Sequence, residues 1–158
     1  MTPDLNKLDS LGFLKQFSKE DLSFLSEIAT EASFSAGNPV FEQGDTNSDL
    51  FLMLKGEADV LLVMPNEDAD VNIHVVPEGS VFGHFSFMDR QPRSATVKAK
   101  TDLTVLRMSR DDFDRLKQER PILALNLMEA LSASICHAIR GENEFLQSFL
   151  DYRSVSSL

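Results

Sequence analysis

The density of chain-reversing residues between Ala32 and Arg107 restricts this chain more than any other feature. Gly37-Asn38-Pro39, Gly44-Asp45-Thr46-Asn47-Ser48, Gly56, Pro65-Asn66-Glu67-Asp68 and Pro77-Glu78-Gly79 interrupt it in turn. Glycine and proline placed this often leave no room for a helix of ordinary length. The segments between the breaks are short, and either apolar or alternating. They are Val40-Phe41, Leu50 to Leu54, Ala58 to Val63, Val71 to Val75, Ala95 to Lys100 and Leu103 to Met108. Val71-Asn72-Ile73-His74-Val75 alternates with period two, as does Ala95 to Lys100. Short strands at this spacing predict a mainly β core, a sandwich or jelly-roll-like barrel.

Helical signals flank that core. Ser18-Lys19-Glu20-Asp21 matches a capping box, and Leu22, Phe24, Leu25 and Ile28 follow at helical spacing, which predicts a helix from about 19 to 30. Leu8, Leu11, Phe13 and Leu14 predict a shorter helical turn before it. After the strands, Ser109 is placed to cap a short helix with the acidic first turn Asp111-Asp112. Pro121 suits the first turn of a long helix. There Met128, Leu131, Ile135, Ala138, Glu142, Phe145, Phe149 and Tyr152 alternate by three and four. Such a stripe packs either on the protein's own core or on its twin across a two-fold axis, and a homodimer through this helix is the expectation taken forward. Gly141 is a candidate kink between the two kinds of packing. The expected organisation is one domain over 1–158: N-terminal helices at about 11–30, a β-roll at 32–108 and C-terminal helices at 109–152, with 154–158 frayed.

A chain of 158 residues, 42% of them hydrophobic, fits one domain with a real core. Its net charge of −10 and the lack of a basic patch argue against DNA as a partner. A small anion is not excluded, since one arginine and a few aimed N–H groups make a phosphate site. No apolar run in the sequence approaches the ~20 residues of a membrane span, and no secretory signal is visible, so no membrane partner is expected. Cys136 is the only cysteine, which fits a reducing cytoplasm.

Three features together resemble the cyclic-nucleotide-binding domain of catabolite-activator regulators, kinase regulatory subunits and gated channels. The first is Gly44-Asp45 followed by Leu50 to Gly56 and Ala58-Asp59-Val60, similar to the family's strand-turn-strand signature. The second is Gly79-Ser80-Val81-Phe82-Gly83-His84-Phe85-Ser86-Phe87, running on through Pro92-Arg93-Ser94-Ala95-Thr96-Val97-Lys98-Ala99. It resembles the phosphate-binding cassette: Phe-Gly-Glu, a helical turn, Pro-Arg-Ser/Ala-Ala and a Val-x-Ala strand. The third is the order of leading helices, eight or so strands, a short helix and a long one.

The resemblance implies an eight-stranded β-roll with flanking helices and a ligand, cAMP or cGMP, with no further cofactor. It places the phosphate against Gly83, Phe85, Ser86, Arg93, Ser94 and Ala95. The chemistry is consistent: Gly83 lets backbone approach an anion, the turn it opens points N–H groups outward, and Arg93 adds a charge-assisted bond. Two positions depart from the pattern or extend it. His84 stands where the family has the glutamate that accepts the ribose hydroxyl, and an imidazole is the weaker acceptor. His74 falls where the catabolite-activator branch has a base-contacting strand residue. The helix around Ala138 and Ile139 is apolar where that branch supplies polar contacts to the base.

Two functions are therefore weighed. One is a regulatory sensor that binds a cyclic mononucleotide and signals through its C-terminal helix to a protein partner. The other is a degenerate domain that no longer binds nucleotide and serves as a dimeric interaction module; on that reading Arg93→Ala leaves partner binding and thermal stability essentially unchanged, with or without nucleotide. With Leu158 following the long helix so closely, a helix-turn-helix output and a DNA-binding role are not expected. No nucleophile–base pair has motif support, so an enzyme is not expected. His74 and His84 have no third ligand to make a cupin-like metal site.

Overall fold

The computed structural model describes residues 12–65 and 69–155. The expected turn at Leu8 and Leu11 lies outside the described residues; beside it, Leu14–Gln16 form a single 3-10 turn. Helix α1, Lys19–Ile28, starts at Ser18, whose hydroxyl accepts the Asp21 N–H at 3.1 Å. It ends because Ala29 turns extended and Thr30 enters the first strand.

Eight strands follow: β1 (Thr30–Phe34), β2 (Pro39–Phe41), β3 (Leu50–Lys55), β4 (Ala58–Leu62), β5 (Val71–Val76), β6 (Val81–Phe82), β7 (Thr96–Ala99) and β8 (Leu103–Met108). They form two four-stranded antiparallel sheets, β1-β8-β3-β6 and β2-β7-β4-β5. Alternation turns one face of each sheet inward. The first sheet contributes Phe51, Met53, Phe82, Leu103 and Val105 to the shared core; the second contributes Phe41, Ala58, Val76, Val97 and Ala99. Leu50, Leu52, Leu106 and Met108 point the other way from the first sheet and are buried too. That face needs a second apolar layer, and α1 supplies Leu22, Leu25 and Ile28 to the buried set. Helix α3 (Arg110–Glu119) adds Phe113 and Leu116.

A short helix, α2 (His84–Asp89), interrupts the strands between β6 and β7. Helix α3 opens on a full capping box: the Ser109 hydroxyl accepts the Asp112 N–H, while the Asp112 carboxylate accepts the Ser109 N–H at 2.8 Å. The last helix, α4, runs Pro121–Val155 without a break at Gly141.

The chain falls into two compact units, Met1–Ala124 and Leu125–Leu158, the second being most of α4. Of the expected stripe on α4, the side chains of Phe145, Phe149 and Tyr152 lie outside what is described. Leu125, Ile139, Leu146 and Leu150 stand exposed, on a helical stripe next to the expected one. By length and average composition alone the Pro121–Ser148 stretch is apolar enough to cross a membrane, although, as expected from the sequence, no uninterrupted apolar run in it is that long. The reason is that scattered Ser, Asn and Glu interrupt every apolar run without making the segment polar on average.

Candidate functional site

The cassette begins where β6 ends. Gly83 sits in the left-handed region, φ 74°, and is the N-cap of α2. A side chain there has no room. Its Cβ would stand 2.8 Å from Arg93 Nη1, 3.0 Å from the Asp49 carbonyl and 3.3 Å from the Phe51 ring. Glycine is therefore required by both the backbone angle and the crowding. The first-turn amides of α2, at His84, Phe85 and Ser86, have no carbonyl a turn earlier to bond, as at any helix start. Arg90 closes the helix at φ 61°, with its N–H on the Ser86 carbonyl at 2.9 Å. Ser86 is buried, Phe85 is exposed, Ser94 is exposed and Ala95 is half-buried.

Arg93 then returns the chain into the protein and is only 3% exposed. Its Nη1 donates to the Gly83 carbonyl at 2.8 Å, and its Nη2 donates to the Asp49 carbonyl at 2.7 Å. Nη2 at 2.6 Å and Nε at 3.2 Å both donate to Asn47 Oδ1. The plane lies on Phe41, 4.0 Å from the ring centre. Phe41, Phe51 and Phe82 pack together beneath it, with centroids 5.2 to 6.2 Å apart. Main-chain bonds hold the same loop from the other side: Gly44 N–H to the Arg93 carbonyl and Arg93 N–H to the Asp45 carbonyl, each 2.8 Å. Burial lowers the Arg93 pKa to about 10, against the pull of Asp49 and Asp45, so the guanidinium stays charged at neutral pH.

His84 is the first residue of α2, packed edge-on to Phe85 with 4.9 Å between ring centres. Both ring nitrogens are shielded from solvent and have no hydrogen-bond partner among the described residues. Burial holds its pKa down at about 4, so the ring is neutral at physiological pH. His74 is exposed on β5, the edge strand of its sheet. It stands in register with Val60, which in turn faces buried Val97, so His74 lies on the inward face of that sheet. Its backbone N–H donates to Asn72 Oδ1 at 3.2 Å. The structure thus gathers Gly83, Ser86 and Arg93 around one turn and leaves His74 on a separate strand edge. Among the described residues no group of three or more His, Cys, Asp or Glu is placed to hold a metal ion.

Several contributors carried no signal of their own in the sequence. Asn47 and Asp49 belong to a segment legible only as a turn, and Phe41 to a two-residue apolar run. Arg110 opens α3 and reaches back to α2, donating from Nη1 to the Phe87 carbonyl at 2.7 Å and lying over the Phe87 and Phe113 rings. Apart from Phe113, three residues from Arg110, their partners lie more than twenty residues away, beyond the reach of any local pattern.

Comparison with known proteins agrees with this architecture. The family model for "Cyclic nucleotide-binding domain" matches residues 31–120. The cAMP-dependent protein kinase regulatory subunit of Emericella nidulans is 27% identical over 109 residues, 69% of this chain and 26% of its own length. The chain thus spans about a quarter of that relative's length. A cyclic nucleotide-binding domain from Methylobacillus flagellatus superposes with a TM-score of 0.73 at 25% identity, covering 87% of this chain and 76% of that one. The Thermus thermophilus catabolite activator protein shares the fold, with a TM-score of 0.72 at 23% identity, covering 85% and 62%. With more than half of its residues inside the family model, and with the β-roll and cassette in place, the chain belongs to the cyclic nucleotide-binding domain family.

Proposed function

We propose that the chain acts as a single regulatory domain that binds a cyclic mononucleotide, cAMP or cGMP, and passes the event to a protein partner. The observation that carries this is the position of the Arg93 guanidinium, 2.8 Å from the carbonyl of the glycine that opens α2. A fixed cation beside the unpaired amides of a helix start is the chemistry of an anion site. On this reading the phosphate lies against the Gly83–Ser86 turn, Arg93, Ser94 and Ala95, and the sugar and base extend towards His84 and His74. For His84 to take the ribose hydroxyl its ring must rotate out from beside Phe85. The relatives support the ligand class, since one is named for cAMP dependence.

The output would run through helices. Arg110 and Phe113 hold the far end of α2, and the Phe87 and Phe113 rings meet edge to face at 5.2 Å. A shift of α2 on binding therefore pulls on α3, and α4 follows α3 directly at Pro121. Exposed Leu125, Ile139, Leu146 and Leu150 on α4 support a homodimer through that helix. On the same reading the protein is cytoplasmic and has no catalytic activity of its own. Calorimetric titration with cAMP and with cGMP tests the binding; no heat up to millimolar ligand would sink it.

A second reading, the interaction module that has lost its ligand, draws on two observations. Arg93 donors are already engaged within the chain, and both His84 nitrogens are shielded. It expects no rise in melting temperature with either nucleotide, whereas a ligand at a hundred times its Kd stabilises the native state by about 2.7 kcal/mol.

A further inference from the structure

We propose that Asn47 is a built-in competitor for the phosphate: its side-chain oxygen sits on the one edge of Arg93 that an anion can take, so ligand binding requires Asn47 to turn away. This rests on the cyclic-nucleotide reading above and deepens it.

Arginine has five N–H groups, and four of those on Arg93 are engaged within the chain. The Gly83 and Asp49 acceptors are backbone carbonyls, one at the cap of α2 and one at the entry to β3. They cannot leave without undoing those elements. The face of the guanidinium is closed by Phe41, itself buried. The fifth N–H, the second on Nη1, is a single donor, whereas the edge made by Nε and Nη2 is the fork that a carboxylate or phosphate grips with two oxygens. Here one oxygen of a neutral amide bridges both donors, at 3.2 and 2.6 Å.

Asn47 is also free to leave. It is exposed, so water takes over its amide once it turns outward. The backbone around it stays put, because the Gly44 and Asp45 bonds to Arg93 do not involve its side chain. The exchange is a side-chain rotation within a fixed loop. Phosphate oxygens bring charge to both donors and outbid a neutral amide, but the displaced bonds subtract from the affinity. Asn47 thus sets the ligand concentration at which the site fills, and it keeps Arg93 aimed and satisfied while the site is empty.

The test is calorimetric titration of cAMP into the full chain and into Asn47→Ala and Asn47→Asp, in buffer free of phosphate and sulfate. Asn47→Ala should bind about ten-fold tighter than the unaltered chain, the equivalent of one displaced hydrogen bond. Asn47→Asp, a permanent anion on the same fork, should weaken binding at least as much. Should Asn47→Ala fail to fold, Asn47→Gly in the same exposed turn reads the same affinity. In parallel, the Arg93 Nε–H signal in nitrogen-resolved NMR should exchange faster with water in Asn47→Ala than in the unaltered chain, with no ligand present. If the unaltered chain binds and Asn47→Ala binds equally or more weakly, the competitor role is overturned while nucleotide binding stands. If neither the unaltered chain nor Asn47→Ala binds, both are overturned. If only the alanine variant binds, the competitor alone masks the site.

Discussion

Replacing Arg93 with alanine should unfold this protein at lower temperature even when no ligand is present. The side chain is 3% exposed and closes three parts of the fold on one another: the Gly83 cap of α2, the Asp49 entry to β3 and the Asn47 turn. Alanine strips the Gly83 and Asp49 carbonyls of a charged donor and leaves a void over Phe41. Asn47 can find water, so the cost concentrates on the two carbonyls and the void. Each bond to a charged group is worth about 1.5–3 kcal/mol net. Relief from burying a charge, whose pKa burial has lowered to about 10, returns part of that. The balance is roughly 3 kcal/mol, at the low end of what removing one partner from a buried charged network costs. At about 2–4 °C per kcal/mol for a chain of this size, the melting temperature should fall by about 6–12 °C. Circular dichroism melts in phosphate-free buffer, with urea titration for the free energy, measure it. Arg93→Lys, which keeps the charge but not the fork, should fall between. A melt of Arg93→Ala within about 2 °C of the unaltered chain would refute the reasoning, since that corresponds to no more than about 1 kcal/mol. The expected drop changes the expectation drawn from sequence, in which an unaltered melt marked a degenerate pocket. Buried as it is, Arg93 supports the fold on either functional reading, so only ligand-dependent shifts separate them.

Other perturbations follow from the same geometry. Gly83→Ala combines a left-handed backbone, costing about 1–2 kcal/mol, with a Cβ 2.8 Å from Arg93 Nη1, and should lower the urea midpoint and weaken cAMP binding together. Arg90→Gly should do the reverse: it relieves φ 61° at the end of α2 for a net gain of about 0.5–1 kcal/mol by urea titration. His84 gives a pH signature. Its folded pKa, about 4, lies below the ordinary 6.5, so the unfolded chain takes up the proton first. Stability is then full above pH 6.5 and falls as pH drops from 6.5 through 4, by about 3 kcal/mol, while His84→Phe should flatten that limb of urea midpoints measured between pH 4 and 7.5. Finally, the proposed dimer should give way to a monomer in light scattering at micromolar concentration when Leu146→Glu is placed on the exposed face of α4, without lowering the melting temperature of the roll.

Six of the eight strands were legible because their boundaries are chemical; β1 was not, since its first residue falls at the end of the expected helix. Gly37-Asn38-Pro39 and Pro77-Glu78-Gly79 stop the chain wherever they occur, and Ser109 and Pro121 mark helix starts by their own hydrogen-bonding limits. The cassette was legible for the same reason, since the Gly83 turn and the Pro92-Arg93 return each need particular residue types. The two-residue strand β6 has no period to detect, and its role depends on Phe51 and Leu52 opposite it. The inward turn of Arg93 was equally hidden, because its acceptors Asn47 and Asp49 lie 46 and 44 residues earlier. Nor can a histidine after Phe-Gly announce whether its ring faces water or Phe85; that is decided by how α2 settles on the roll.

The central place of β8 in its sheet has a consequence for how the molecule comes into being. β8 lies between β1 and β3, pairing Arg107 with both Thr30 and Phe51. The first strand made is thus without its partner until the last strand exists. On a ribosome, everything from Thr30 to Met108 must have emerged before that sheet can close, and contacts this distant along the chain make folding slow. The Gly83–Arg93 turn sits inside that interval, so its shape is inherited from a closure completed downstream. A chain halted short of Leu103 would carry every residue of the cassette and lack the strand that joins the rest of the first sheet together.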